Sequence, residues 1–184
     1  IFNIQNVVCA KGEFEVVAKT TLPHGQNYEL TKLQDGRILI SEFTQLNSSL
    51  NDPIPEEKRF LKRFEIYNPK TKNFEKISQP KIWHYYYTKP IVLDDGKVLL
   101  VGSFCHMSPL EKDVTPFQLK MCTQSQYAEV YNPINDTYKI VGKLRIPRSY
   151  FGFTKLNNGK VLITNGVSDY IYKYDKNGKV DYYE

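Results

Sequence analysis

Three stretches of the chain share one order of apolar and polar positions: a leucine, two polar residues, a glycine, a basic residue and then an unbroken apolar run. They are LQDGRILI (Leu33 to Ile40), LDDGKVLL (Leu93 to Leu100) and LNNGKVLI (Leu156 to Ile163). Asp-Gly and Asn-Gly supply the positive φ angles that a tight hairpin turn requires. The Ile, Val and Leu residues that follow suit a strand buried on both faces. Each stretch therefore predicts two antiparallel strands joined at a turn whose glycine is Gly36, Gly96 or Gly159.

A second pattern recurs downstream, as FEIYNPKTKNFEKI (Phe64 to Ile77) and AEVYNPINDTYKIV (Ala128 to Val141). Aromatic residues open and close a chain reversal in both, Tyr67 with Phe74 and Tyr131 with Tyr138, and Asn-Pro with a polar turn lies between them. Eroded copies stand at Val7 to Phe14 and around Tyr174, Asp175, Asn177 and Gly178. A unit of four short strands with one long loop accounts for this spacing of about 60 residues.

Together these segments resemble kelch repeats of the galactose-oxidase-like kind, in which a Leu-x-Asp-Gly turn and strand are followed by a variable loop, an aromatic, Asn-Pro or Asp-Pro, and a second aromatic. The resemblance covers nearly the whole chain. The Gly-Gly pair of that family is replaced here by Glu42-Phe43, Gly102-Ser103 and Asn165-Gly166, and its second aromatic is Phe or Tyr rather than Trp. The resemblance implies an all-β, kelch-type β-propeller, with 1–184 as one region. On that template 1–18 is a partial blade, 26–78 and 83–141 are full four-stranded blades, and 148–184 is a partial blade. Rings of the family close with about six or seven blades, and about three and a half are present here. The chain is accordingly read as part of a larger ring, the alternative being copies that associate through open edges.

In such a ring the second-to-third-strand loops and the blade linkers share one face. The long segments 41–63 and 102–126 fall in that loop slot, and long loops on a rigid scaffold commonly carry binding, although surface insertions are also simply tolerated. Counting back from the turn glycines aligns His24, His84 and Pro147, then Gly25, Tyr85 and Arg148. Arg148 matches an Arg that these repeats often carry. Around it the linkers gather Lys81, Trp83, Tyr86, Tyr87, Arg145 and Tyr150, aromatic faces and cations suited to a sugar ring, an acidic group or a peptide. Packing between blades explains each of these singly. Their clustering is what points to a binding face comprising Lys81, Trp83, His84, Tyr85, Tyr86, Arg145, Arg148 and Tyr150.

Candidate chemistry adds little. Galactose-oxidase relatives bind copper through His and Tyr, with a Tyr-Cys cross-link and a His from a further domain. Neither of those last two features has a counterpart here, so His24 and His84 are expected to be packed side chains, and neither a metal nor another cofactor is implied. Cys105 and Cys122 could close a disulfide across their loop, hold a soft metal together with His106, or stay as free thiols; Cys9 reads as a small core residue. The chain has no G-x-S-x-G elbow, no phosphate-binding G-x-x-x-x-G-K-[ST] loop and no H-E-x-x-H pair.

The 25 Lys and Arg residues against 20 Asp and Glu leave a net charge of +5, scattered among aromatic and acidic positions, which argues against dedicated nucleic-acid binding. The densest basic patch, Lys58, Arg59, Lys62 and Arg63 after Glu56 and Glu57, reads as a solvated loop. No run approaches the length of a membrane helix, and the first residues do not read as a secretory signal, which leaves the compartment open. The expectation is a non-enzymatic β-propeller module contacting a protein or glycan. A fragment of a galactose-oxidase-like or other sugar-processing kelch enzyme, or a self-assembling repeat protein, are the alternatives.

Overall fold

The computed structural model describes residues 5–10, 13–25, 28–45, 60–84, 90–102, 126–146, 148, 151–166, 173–174 and 180–181. Regular structure among them is entirely β-strand, and no helix is long and apolar enough to cross a membrane.

Two four-stranded antiparallel sheets form the centre, each a meander in chain order. The first joins β3 (Tyr28–Lys32), β4 (Ile38–Gln45), β5 (Phe60–Asn68) and β6 (Asn73–Lys76). The second joins β7 (Ile91–Val92), β8 (Val98–Val101), β9 (Tyr127–Asn132) and β10 (Thr137–Lys143). A two-stranded sheet precedes them, β1 (Gln5–Ala10) with β2 (Glu13–Lys19). Two more follow: β11 (Gly152–Lys155) with β12 (Val161–Thr164), and β13 (Lys173–Tyr174) with β14 (Val180–Asp181).

The three Leu-x-x-Gly turns are built alike, and in a way the dipeptide alone does not convey. Only the glycine takes the left-handed conformation, with φ of 88° at Gly36, 79° at Gly96 and 77° at Gly159. In the first turn the Leu33 amide donates to the Arg37 carbonyl at 2.8 Å and the Gly36 amide to the Leu33 carbonyl at 3.1 Å, and the other two turns repeat the pair. This is a three-residue loop with a glycine bulge. The residue before the glycine acts through its side chain instead, since Asp35, Asp95 and Asn158 each accept the amide two residues on, at 3.0, 3.2 and 3.1 Å. A short side-chain oxygen at that point caps the turn, which is why Asp and Asn occupy it.

The Asn-Pro reversals follow the same economy. Asn68 accepts the Lys70 amide and Asn132 the Ile134 amide, both at 3.0 Å. Equivalent loop residues Lys72 and Asp136 hold φ of 54° and 52°. Across each reversal the aromatic pair sits in register, Tyr67 opposite Phe74 with centroids 5.0 Å apart and Tyr131 opposite Tyr138 at 4.6 Å.

The core lies where the two four-stranded sheets face each other. Leu33, Leu39, Phe43, Phe64 and Ile66 from the first pack with Val98, Leu100, Tyr131 and Tyr138 from the second. Successive hairpin turns also touch: the Gln34 amide group donates to the Leu93 and Asp94 carbonyls at 2.9 and 3.0 Å, and Lys155 pairs with Asp94 at 2.5 Å.

Two sequence-based expectations need correction. The loop read over 41–63 is narrower, because Ser41 to Gln45 continue β4 and Phe60 to Arg63 open β5. Ser41 and Glu42 are polar and therefore resemble a loop, yet both are buried. The basic pair Lys62 and Arg63 is likewise not a solvated loop. Both lie half-buried on β5, where the Lys62 ammonium donates to the Pro80 carbonyl at 2.5 Å.

Candidate functional site

The first two linkers between sheets are each drawn onto the following sheet by a buried carboxylate, and this sets the geometry of the linker end there. Glu65 on β5 and Glu129 on β9 occupy the same place in their repeats, two residues before the Tyr of Tyr-Asn-Pro, and both are fully buried. Glu65 accepts the Thr21 amide at 2.9 Å and the Thr21 hydroxyl at 2.6 Å. Glu129 accepts the amides of Lys81 at 2.9 Å and Ile82 at 3.2 Å. Burying a carboxylate is costly unless donors replace its hydration, and here linker amides do so.

His24 completes the first of these sites. Its Nδ1 lies 2.9 Å from Glu42 Oε2 and its Nε2 lies 2.7 Å from Glu65 Oε1, all three side chains being shielded from solvent. Ionised carboxylates only accept hydrogen bonds, so both ring nitrogens carry protons and the imidazolium bridges two carboxylates. Burial opposes that charge, but the bonds from Glu42 and Glu65 outweigh it and hold the His24 pKa above its ordinary value. Burial likewise opposes ionisation of Glu65, and the His24 and Thr21 donors overcome it and hold its pKa below the usual range. The other Glu42 oxygen accepts the Gly25 amide at 2.9 Å and lies 3.8 Å from the Arg63 guanidinium. Two carboxylates, one imidazolium and one guanidinium thus balance in charge.

The second site is a variant. The position held by Glu42 in the first sheet, six residues after the turn glycine, is Gly102 in the second. His84 Nδ1 now donates to the Gly102 carbonyl at 2.9 Å, while its Nε2 lies 3.5 Å from Glu129 Oε2, beyond a hydrogen bond. In the third copy the aligned residue is Asn165, whose carbonyl accepts from Arg148 Nη1 at 2.6 Å. One carbonyl position is met by His in one copy and by Arg in the next. Arg148 and Phe151 also close over Gly102, where a Cβ would stand 2.8 Å from the Arg148 carbonyl oxygen and 2.5 Å from Phe151 Cε1.

The linker residues singled out in the sequence therefore separate into two groups. His84 is fully buried, with its ring edge against Phe43 at 5.7 Å. Trp83 is partly buried against the core, with Lys62 Nζ 5.0 Å from its ring centroid. Desolvation holds the Lys62 pKa below its ordinary value, with the Glu129 charge acting in opposition. Arg148 is half-buried, whereas Lys81 and Arg145 are exposed. Tyr85, Tyr86, Tyr150, Cys105 and Cys122 lie outside the described residues. No group of three or more His, Cys, Asp or Glu side chains able to hold a metal occurs among the described residues.

No protein-family model matches the sequence, and no curated protein does. Among solved structures the chain is similar to the structure of YjhT, with a TM-score of 0.57 and 12% identity, over 95% of this chain and 56% of that one. The likeness is one of fold, and the chain spans little more than half of that neighbour's length.

Glu42, Glu65 and Glu129 organise the linkers, and sequence reasoning passed over all three. A signal was present for two of them: Phe64-Glu65-Ile66 and Ala128-Glu129-Val130 repeat an acidic residue inside an apolar strand. A carboxylate recurring there has to meet donors from elsewhere in the fold.

Proposed function

We propose that the chain is a segment of a kelch-like β-propeller that serves as a binding module, contacting a protein or glycan partner at the end of the sheets where the linkers turn. The observation that carries this reading is a shared end. In both meanders the hairpin turns after the first and third strands lie at one end, so the β4–β5 and β8–β9 connections leave from the other. His24 beside Glu42 and His84 beside Gly102 bring the linkers to that same end. The strand ends that residues 46–59 and 103–125 connect thus lie at a braced edge, and long connections at such an edge favour recognition. The buried acids and histidines support a scaffold role, because their partners are linker amides and one another. The exposed cations Lys81 and Arg145 are better placed to meet a partner than Trp83 or His84, which the core takes up.

The test uses the full-length protein, screened on a glycan array and by cross-linking mass spectrometry in its native host. Two variants follow, one with 47–58 and one with 104–124 replaced by short Gly-Ser connections. We expect any hit to weaken at least about tenfold in one of them while the midpoint of thermal unfolding stays within about 2 °C, since surface loops tolerate length changes. Hits retained in full by both variants, or metal-dependent turnover of simple sugars or aldehydes by the full-length protein, would overturn the proposal.

A further inference from the structure

The first two junctions between sheets can be compared residue by residue, because Phe14 to His24 and Phe74 to His84 align without a gap. Thr21 and Lys81 occupy the same place, and each donates its amide to the buried Glu of the following sheet. The junctions differ at one fastening. In the second, the Asp136 carboxylate accepts the Ser78 amide at 3.0 and 2.9 Å and the Ser78 hydroxyl at 2.9 Å, tying the linker to the Asn-Pro loop. In the first, the residue in place of Ser78 is Ala18 and the residue in place of Asp136 is Lys72. Carboxylate and hydroxyl are both gone, and an ammonium stands where the acid was.

The same place is open. A pocket of about 620 Å³ lies between β2 and β6, lined by Val17, Ala18, Lys19, Lys72, Phe74 and Glu75 among others. Lys19 replaces Gln79, which in the second junction both accepts the Phe64 amide and donates to the Phe64 carbonyl, each at 2.9 Å. Lys19 and Lys72 are both exposed. The one acid in the lining is already engaged: Glu75 accepts from Asn68 at 3.3 Å and lies 3.7 Å from Arg37. Phe74, packed on Tyr67, supplies an apolar floor.

We propose that this pocket binds a carboxylate, which takes from outside the chain the place that Asp136 fills at the next junction. A carboxylate seated there would meet the Lys72 and Lys19 ammonium groups on one side, with its carbon stem against Phe74 and Val17. At about 620 Å³ the pocket has room beyond the carboxylate itself, for the small molecule or the peptide segment that carries it. The site is formed by outer strands, an Asn-Pro loop and Thr21 of the first linker, and it does not depend on the partner binding proposed for the connections 46–59 and 103–125.

The full chain, labelled with 15N, is titrated with acetate, with N-acetyl-aspartate methylamide and with its neutral asparagine counterpart. We expect saturable shifts of the Ala18, Lys19 and Lys72 amides with the two acids and none with the asparagine compound. Tighter binding of the aspartate compound than of acetate assigns the site to an acidic side chain, and the reverse to a free carboxylate. Lys72→Ala should weaken binding about tenfold, the scale of one charge-assisted contact. The double variant Ala18→Ser with Lys72→Asp rebuilds the internal fastening and should abolish the shifts while remaining folded. Equal shifts with the neutral compound, no saturation with either acid, or undiminished binding by the double variant would overturn the proposal.

Discussion

Glu65 offers the sharpest test of the carboxylate bracing. Glu65→Ala removes an acceptor that serves the Thr21 amide, the Thr21 hydroxyl and His24 Nε2 at 2.9, 2.6 and 2.7 Å. It leaves a buried imidazolium with one carboxylate and an amide with no acceptor. Removing one partner of a buried ion pair costs about 3–5 kcal/mol. At roughly 2–4 °C per kcal/mol for a chain of this size, the unfolding midpoint should fall by about 6–20 °C. Glu65→Gln keeps the shape: its carbonyl oxygen can still accept from Thr21, and its amide group can donate to a neutral His24, so a loss of about 1–2 kcal/mol is expected. The two variants also differ from the wild type in pH dependence. The His24 pKa is raised, so its contribution is complete below its ordinary value of 6.5 and is lost as pH rises through the raised value. The Glu65 pKa is lowered, so its contribution is complete above its ordinary value of 4.5 and is lost as pH falls through the lowered value. Wild-type stability should therefore peak between these values, and Glu65→Gln should flatten the alkaline decline. Urea unfolding at intervals from about pH 3 to pH 9 covers both arms. A cost below about 1 kcal/mol for Glu65→Ala, or a wild-type curve flat across the alkaline arm, would refute the reasoning.

Other substitutions probe the turns and the core. Gly36→Ala meets no atom within 4 Å but must hold φ of 88°, so a cost of about 1–2 kcal/mol is expected from the backbone alone. Gly102→Ala adds collisions with Phe151 and the Arg148 carbonyl to φ of 71° and should cost at least about 2 kcal/mol more. Equal urea midpoints for the two variants would remove Gly102 as a point of close packing. Tyr138 is buried and its hydroxyl has no hydrogen-bond partner among the described residues. Tyr138→Phe should therefore leave stability unchanged or raise it by up to about 1 kcal/mol, and a clear loss by calorimetry would show that the hydroxyl is satisfied.

Much of the local architecture was legible in the chain. Gly36, Gly96 and Gly159 mark turns because a left-handed residue there favours glycine, and Tyr-Asn-Pro marks a reversal because Asn and Pro act on their own backbone. Such signals involve residues a few positions apart, so the sequence contains both halves of each interaction. His24 and His84 are buried, as expected of packed side chains, although His84 was also placed on the binding face, and the partners of neither were anticipated.

What misled was polarity. Ser41 and Glu42 read as a loop and Lys62 and Arg63 as a solvated patch, although all four belong to strands and none is exposed. A polar side chain can be buried when its donors and acceptors are supplied, and for Glu65 and Glu129 the suppliers are linker amides more than 40 residues away in the chain. Every residue but proline carries an amide, so nothing in the sequence distinguishes the one that meets a buried carboxylate. The open fastening at Ala18 and Lys72 has the same origin: the substitutions are visible in the sequence, but that they face each other across a pocket is decided by the packing of one sheet on the next. The sequence by itself determined the turns, the strands and their repeating order, because those depend on near neighbours. Only the tertiary structure decided which charges are buried and which linker each one holds, because the cost of burying a charge depends on the groups that distant segments bring to it.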